Sequence, residues 1–417
     1  MPEPTVCVAG GGPAGVMLGL LLARAGVRVT VLEKHADFLR DFRGDTVHPS
    51  TLEVLAELGL ADRLEEIPHQ RVVRAGFESG GRRVDILDLR RLRVRHPYIA
   101  LVPQWDFLEL LAAAASAYPE FELRREAEAY DLVVEHGRVV GVRFRDRGAD
   151  GRGDPEGDHV LRAALTVAAD GRHSTLRRAA GLAPRAFGAP MDVVWFRLPW
   201  AEGDSAARAL TFRFGPGRAA VTIPRRTYWQ IAYLISKGGF EDLRAQGIDA
   251  LRRGVAQTVP FLADRVGELR SFDDTSVLEV RMDRLRRWYR PGLLAIGDAA
   301  HAMSPVGGVG INLAIQDAVA AANLLVPSLR AAQRSGVPVP DRALAAVQRR
   351  RQLPTAVTQA LQRAVQTFGL NRALRSDHAD GSPPRILPVW LAPVLRRPMS
   401  RFVGLGVRPE HVRTRPE

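Results

Sequence analysis

At 417 residues, with 46% hydrophobic and 6% aromatic side chains, the chain is long enough for two or more cores and has the composition of an ordinary globular protein. Its formal net charge is +13, yet of 59 basic residues only Lys34 and Lys237 are lysine, and the arginines fall in small groups at 90–95, 284–290 and 349–351 with acids between them. No nucleic-acid module accompanies that charge, which argues against a nucleic-acid partner and for attraction of an anionic substrate or cofactor.

The N-terminus shows no secretory pattern and passes almost at once into an apolar run. Apolar runs such as 16–23 are too short to span a bilayer, so no integral membrane segment is expected. The single cysteine, Cys7, cannot form an internal disulfide, which fits a cytoplasmic protein.

Residues 6–33 read as strand, glycine turn, helix, strand and acid. Val6, Cys7, Val8 and Ala9 have no polar alternation, as in a strand buried on both faces of a parallel sheet. Gly10, Gly12 and Gly15 match G-x-G-x-x-G: a tight turn, a close approach of backbone to a pyrophosphate, and close helix–strand packing. Pro13 and Ala14 stand where a helix begins, and Gly26 marks its stop. Glu33, followed by Lys34, ends the second strand about 20 residues after the turn, where an acid accepts hydrogen bonds from an adenosine ribose. This much indicates an adenine dinucleotide and leaves FAD and NAD open.

Arg43 lies in a polar loop before a helix over 51–58, and solvation alone accounts for it; His48 precedes Pro49 and is expected to be extended. Residues 72–89 alternate and turn at 79–81 as a hairpin, followed by a strand over 98–103 and a helix over 105–115. Gln104, at that junction, serves either a bound phosphate or ribose or the helix end itself. A second hairpin pairs 132–135 with 139–144, and the polar 145–158 stretch offers little to bury. Residues 165–169 form a buried strand ending at Asp170-Gly171, the carboxyl end where such sheets place ligands.

From 187 to 235 short apolar runs indicate a separate, mainly antiparallel sheet, then helices over 240–255 and 260–269 and a strand over 275–282. Trp195, Phe212, Thr222 and Gln230 are candidates for one wall of a substrate pocket, with ordinary sheet packing as the competing reading. A buried strand over 293–296 ends at Gly297-Asp298, a polyol acceptor or a structural turn. Pro305, Gly307, Gly308 and Gly310 immediately precede a helix starting near Ile311, whose free N–H groups suit an anion. Residues 340–367 are helical. The apolar run at 386–395 either packs across the pocket or touches a membrane surface, and its prolines favour packing.

Three stretches now stand in a telling order: GGGPAG at 10–15 with Glu33, AADGRHSTLR around Asp170-Gly171, and GDAAHAMSPVGGVGINLAIQDA over 297–318. Together they resemble the FAD-dependent monooxygenases of the para-hydroxybenzoate hydroxylase type, the flavoprotein aromatic hydroxylases, over residues 5–330. The resemblance implies an α/β fold. A Rossmann-like, GR2-like FAD-binding domain (1–180 and 273–330) would carry an inserted, mainly antiparallel β-sheet substrate domain (181–272) and a C-terminal helical segment and tail (331–417).

It further implies that Glu33 binds the adenosine ribose, that Arg43 and Gln104 lie along the dinucleotide, and that Asp298 holds the ribityl chain. Asp170-Gly171 would serve FAD and NAD(P)H, and Pro305, Gly308, Gly310, Ile311 and Asn312 would flank the isoalloxazine. The implied reaction uses NAD(P)H and O2, through a flavin C4a-hydroperoxide, to oxygenate an aromatic or polyketide-like small molecule. A flavin reductase without oxygen insertion and a non-catalytic flavin-fold binding protein are the alternatives; the W-x-W-x-I-P pattern of flavin halogenases is absent. No catalytic base is singled out, although His48 and His301 are possible, no metal is implied, and a monomer or homodimer is expected.

Overall fold

The computed structural model describes residues 3–38, 46–79, 82–147, 157–204, 209–215, 217–370 and 392–417. Arg43, the tip of the 72–89 hairpin, most of the 145–158 stretch and most of the 386–395 run lie outside the described residues.

The central sheet has six strands in the order Tyr289–Arg290, Leu293–Ala295, Leu165–Ala168, Val6–Ala9, Val29–Leu32 and Phe121–Arg124. Every neighbouring pair is parallel except the first. The four middle strands are buried at each position, which is why they read as unbroken apolar runs. Helix Pro13–Arg24 packs against helices Gly310–Ser335 and Gln104–Ala115, covering the sheet. Because Val6–Ala9, Leu165–Ala168 and Leu293–Ala295 are parallel neighbours, the three motifs that follow them emerge at one edge.

A second sheet of seven strands runs Ser276–Leu278, Met191–Pro199, Tyr228–Ser236, Arg218–Pro224, Leu210–Gly215, Arg74–Ser79 and Arg82–Asp88. Its last two strands are the predicted hairpin, joined to Leu210–Gly215 by the one parallel pairing in the sheet. One face is sealed by the helix Ile248–Thr258 over a core of Phe196, Trp229, Ile231, Leu251 and Val255. The predicted helix over 240–255 is broken into Phe240–Ala245 and Ile248–Thr258 because Gly247 adopts φ +81° between them. The predicted strand over 275–282 pairs only along Ser276–Leu278.

Two expectations change. The stretch Val306–Ser335 is long and apolar enough by itself to cross a membrane, although no sequence run indicated it; 78% of its most apolar window is buried inside the fold, so the protein uses it as a core helix. Ala392–Leu405 is helical despite Pro398, which lies on its exposed side, and it packs along Arg82–Asp88. The final residues then strap the nucleotide half: the Arg24 guanidinium donates to the Thr414 carbonyl at 2.7 Å, and the Val412 N–H to Glu57 at 2.7 Å.

Candidate active site

The first glycine turn is shaped by what would collide with it. A Cβ on Gly15 would overlap the Gly10 carbonyl oxygen, and one on Gly10, at φ +108°, would overlap the Ala169 carbonyl. The turn is therefore pressed onto its own helix on one side and onto the Asp170 strand end on the other. Gly12 differs, since nothing lies within 4 Å of an added Cβ. It caps helix Pro13–Arg24 with no side-chain hydrogen bond, and the first turn holds no acid. The positive end of the helix dipole therefore lies beside the open space at Gly12.

Glu33 is buried beside this turn, with Oε2 accepting the Gly11 N–H at 2.9 Å and Oε1 the His35 N–H at 3.0 Å. Lys34 is exposed. Gln104 is the first residue of the helix Gln104–Ala115, half-buried, and its amide has no hydrogen-bond partner among the described residues. Asp170 turns partly inward: Oδ2 accepts the N–H groups of Thr175 (2.8 Å) and Leu176 (3.1 Å), starting the helix Thr175–Ala179, while Oδ1 is buried without a partner. Burial holds its carboxyl above the ordinary range. Gly171 at φ +82° completes the turn.

The Gly297-Asp298 turn meets the first motif directly, since a Cβ on Gly297 would sit 3.1 Å from that of Ala14. Gly297, at φ +58°, donates its N–H to Asp317 Oδ2 at 3.1 Å. Asp317 also accepts His301 Nε2 at 2.6 Å and Arg351 Nε at 3.0 Å, and all three side chains are buried. Burial alone would raise the Asp317 carboxyl, but the charges and hydrogen bonds of His301 and Arg351 outweigh it and hold the pKa below the usual range. His301 is thus a structural partner, not a free base. Asp298 is the reverse case: half-buried, raised by burial, and without a hydrogen-bond or ion-pair partner among the described residues.

The Pro305–Gly310 loop is pinned from both sides. Gln362 Nε2 donates to the carbonyls of Ser304 (2.9 Å) and Val306 (2.8 Å), and Thr46 Oγ1 donates to the Gly308 carbonyl at 2.8 Å. Asn312 is fully engaged: Oδ1 accepts the His48 N–H and the Thr51 hydroxyl, and Nδ2 donates to the carbonyls of Thr46 and Gly308. Its side chain therefore builds the loop rather than facing a ligand. Ile311 is half-buried in the first turn, and Gly310, the first residue of the helix Gly310–Ser335, has open space on its Cβ side. His48 is buried, Nδ1 bonded to the Val403 carbonyl at 2.8 Å and Nε2 unpartnered; burial drops its pKa to about 4.

Register decides which substrate-wall candidates act together. Phe212 pairs with Val221, Val221 with Ala232 and Ala232 with Trp195, so Trp195 and Phe212 share one face, as does Gln230 two residues from Ala232. Thr222 pairs with Ile231, which pairs with Phe196, and so lies on the opposite, helix-covered face. It is 1% exposed and cannot line the same wall. Gln230 is also buried, accepting Arg225 Nε at 2.8 Å. The Trp195 face meets the Pro305–Gly310 loop through Val306, which, like Phe214 and Val221, packs against the buried cluster of Met191, Ala219 and Leu234.

A family model described as an FAD binding domain matches residues 3–360. The chain belongs to the FAD-dependent aromatic hydroxylase family. It is 36% identical over 327 residues to a 6-methylpretetramide 4-monooxygenase of Streptomyces rimosus, covering 78% of this chain and 76% of that one. It is 32% identical over 331 residues to a rifampicin monooxygenase of Streptomyces venezuelae, covering 75% and 62%. The crystal structure of Pseudomonas aeruginosa PqsL with 2-aminobenzoylacetate superposes with a TM-score of 0.73 at 22% identity, over 90% of this chain and 99% of that one, a likeness of fold.

The enzyme is an FAD-dependent monooxygenase, and its own residues fit that cofactor. Open space at Gly12 and Gly310, two uncapped helix starts and an unpaired Asp298 carboxylate are the features a dinucleotide with a polyol linker would use. Sequence reading missed Thr46, Asp317 and Gln362, which touch backbone instead of ligand. The spacing of Gln359, Gln362 and Gln366 along one helical stripe, all buried, was the available signal.

Proposed function

We propose that this monooxygenase oxygenates a multi-ring phenolic or polyketide-like substrate held between the Trp195–Phe212–Val221 sheet face and the Pro305–Gly308 loop. The observation that carries the reading is the junction of that apolar face with Val306, which brings a broad aromatic wall to the loop beside the flavin position. The relative at 36% identity, a 6-methylpretetramide 4-monooxygenase, supports the same substrate class. In this division of labour residues 1–180 and 273–330 hold the cofactor, 181–272 supply the wall together with the strands Arg74–Ser79, Arg82–Asp88 and Ser276–Leu278, and 331–417 brace both. With its single cysteine buried, we place the enzyme in the cytoplasm.

FAD, when bound, supplies the redox chemistry with NAD(P)H as reductant and O2 as oxygen source. The chain supplies position and field. Glu33 would accept from the adenosine ribose, the Gly12 turn and helix dipole would face the pyrophosphate, and Asp298 would accept from the ribityl hydroxyls. The start of helix Gly310–Ser335 would stabilise negative charge on the flavin ring, and Val306, Phe214 and Val221, packed on one buried cluster, would keep water from the substrate side. A panel of phenols assayed for accelerated NAD(P)H oxidation by the holoenzyme tests this. Three- and four-ring phenols should stimulate strongly and single-ring phenols little; equal stimulation by both would refute the broad-wall reading.

A further inference from the structure

Outside the flavin site the structure gathers three arginines from three separate chain segments around one aromatic ring. Arg185, Arg284 and Arg363 place their guanidinium carbons 5.6, 5.3 and 5.4 Å from the centre of the Phe187 ring. Arg185 and Arg284 are directly opposed in the two-stranded antiparallel ladder Pro184–Ala186 with Asp283–Leu285, and Phe187 extends it by donating its N–H to the Met282 carbonyl at 2.9 Å. Like charges directly opposite each other weaken such a ladder. Among the described residues none of the three has a carboxylate within ion-pair distance. Cation–π contact with Phe187 offsets part of the repulsion but neutralises no charge. Elsewhere on this arginine-rich surface guanidiniums do find acids, as Arg177 with Asp283, Arg265 with Asp204 and Arg281 with Glu279 do.

The position of the cluster matters as much as its charge. The ladder is where the chain passes from the first sheet to the second and back. Arg284 donates to Gln359 Oε1 at 3.2 Å, and Gln359 Nε2 donates to the carbonyls of Asp283 and Ala302. Arg363 follows Gln362, which holds the Ser304 and Val306 carbonyls. An anion on the cluster would therefore sit one side chain away from the 302–306 backbone that leads into the flavin loop.

The geometry points to a phosphate-binding site formed by Arg185, Arg284 and Arg363, which docks the phosphates of the nicotinamide dinucleotide that reduces the flavin. This assignment rests on the monooxygenase reading above for the identity of the ligand. The arginine forks supply the planar, charge-assisted hydrogen bonds that phosphate takes, and Phe187, half-buried among them, fixes their spread. Guanidinium groups from both chain crossings and from the helix Asp341–Ala364 make binding there sensitive to how the two sheets are set.

The test uses the FAD-loaded enzyme and the double variant Arg185→Ala/Arg363→Ala, both at exposed side chains. Two titrations are run: calorimetric binding of 2′,5′-ADP and of inorganic phosphate, and anaerobic flavin reduction against NADPH concentration. The proposal expects the 2′,5′-ADP dissociation constant and the half-saturating NADPH concentration to rise about tenfold or more. The limiting reduction rate and the flavin spectrum should stay as they are. Phosphate should raise the melting temperature of the parent enzyme and not that of the variant, whose ligand-free form should melt no lower. Unchanged 2′,5′-ADP affinity in the variant overturns the site. Binding of inorganic phosphate lost in the variant with NADPH dependence unchanged overturns the dinucleotide as its ligand. A parent enzyme that neither NADPH nor NADH reduces refutes the reductant reading instead, while the 2′,5′-ADP titration still decides the site.

Discussion

Substitution at two glycines of the same turn separates cofactor binding from folding. Gly15→Ala puts a Cβ against the Gly10 carbonyl oxygen, far inside the 3.0 Å that real Cβ atoms keep, and the neighbour is backbone that cannot swing away. Overpacking of that kind costs about 1–3 kcal/mol or more, so the apoprotein should melt roughly 1–4 °C lower. Gly12 sits at φ −75°, ψ −177°, which any residue adopts, with nothing within 4 Å of an added Cβ. Gly12→Ala should leave apoprotein stability unchanged or raise it by about 0.4–1 kcal/mol, through the lower entropy of the unfolded chain. It should weaken FAD, because the methyl group occupies the space where the pyrophosphate approaches the backbone. Losing hydrogen bonds to a charged group costs about 1.5–3 kcal/mol, or roughly 10- to 150-fold in affinity. Thermal melts of the apoproteins and fluorescence titration with FAD read the two effects. Normal FAD affinity in Gly12→Ala, or an apoprotein as destabilised as Gly15→Ala, would refute the placement of the dinucleotide.

The loop glycines should divide in the same way. Gly308→Ala combines φ +62° with overlap on the Thr46 hydroxyl and should destabilise the protein even without FAD, whereas Gly310→Val should fold normally and slow flavin reduction, both checked by melting and stopped-flow absorbance. Asp317→Asn removes the carboxylate shared by His301 and the buried Arg351, which among the described residues keeps only the Glu410 carboxylate, at 3.4 Å, and should cost about 1–3 kcal/mol in urea unfolding. His48 is neutral in the fold, with its pKa lowered from 6.5 to about 4 by burial. Between those values the unfolded chain binds more protons, so the penalty this group places on folding at low pH is lifted as pH rises from 4 to 6.5, by about 3 kcal/mol in all. Urea unfolding of His48→Gln against the parent enzyme should show that difference across the window, and parallel pH profiles would contradict it.

How far the sequence carried the site depends on what each residue touches. The glycine turns and strand ends were legible because Gly10, Gly15 and Gly297 answer local steric demands that leave one residue type, and because fully buried parallel strands read as apolar runs. Asp298 was equally plausible as a turn residue; its lack of a partner among the described residues is a property of the folded surroundings. Thr222 misled because, in a sheet whose two faces are both largely covered, alternation no longer distinguishes them, and only the pairing with Ile231 and Phe196 does. The Asp317–His301–Arg351 network joins residues 16 and 34 positions from its centre, and nothing local in any of the three announces the others. Arg185, Arg284 and Arg363 are likewise scattered in sequence, the first two set opposite each other by the ladder and the third supplied by the helix Asp341–Ala364.

The central claim is that the three motif-bearing strand ends hold FAD for oxygen insertion into an aromatic substrate at the Trp195–Phe212 face. Its most direct test is a turnover of the holoenzyme under labelled O2 with a stimulating polycyclic phenol, scored by mass spectrometry. One labelled oxygen atom per product, with one NAD(P)H consumed for each, is the predicted result. Product formed without label, or NAD(P)H oxidised with only hydrogen peroxide released across every stimulating phenol, would contradict it.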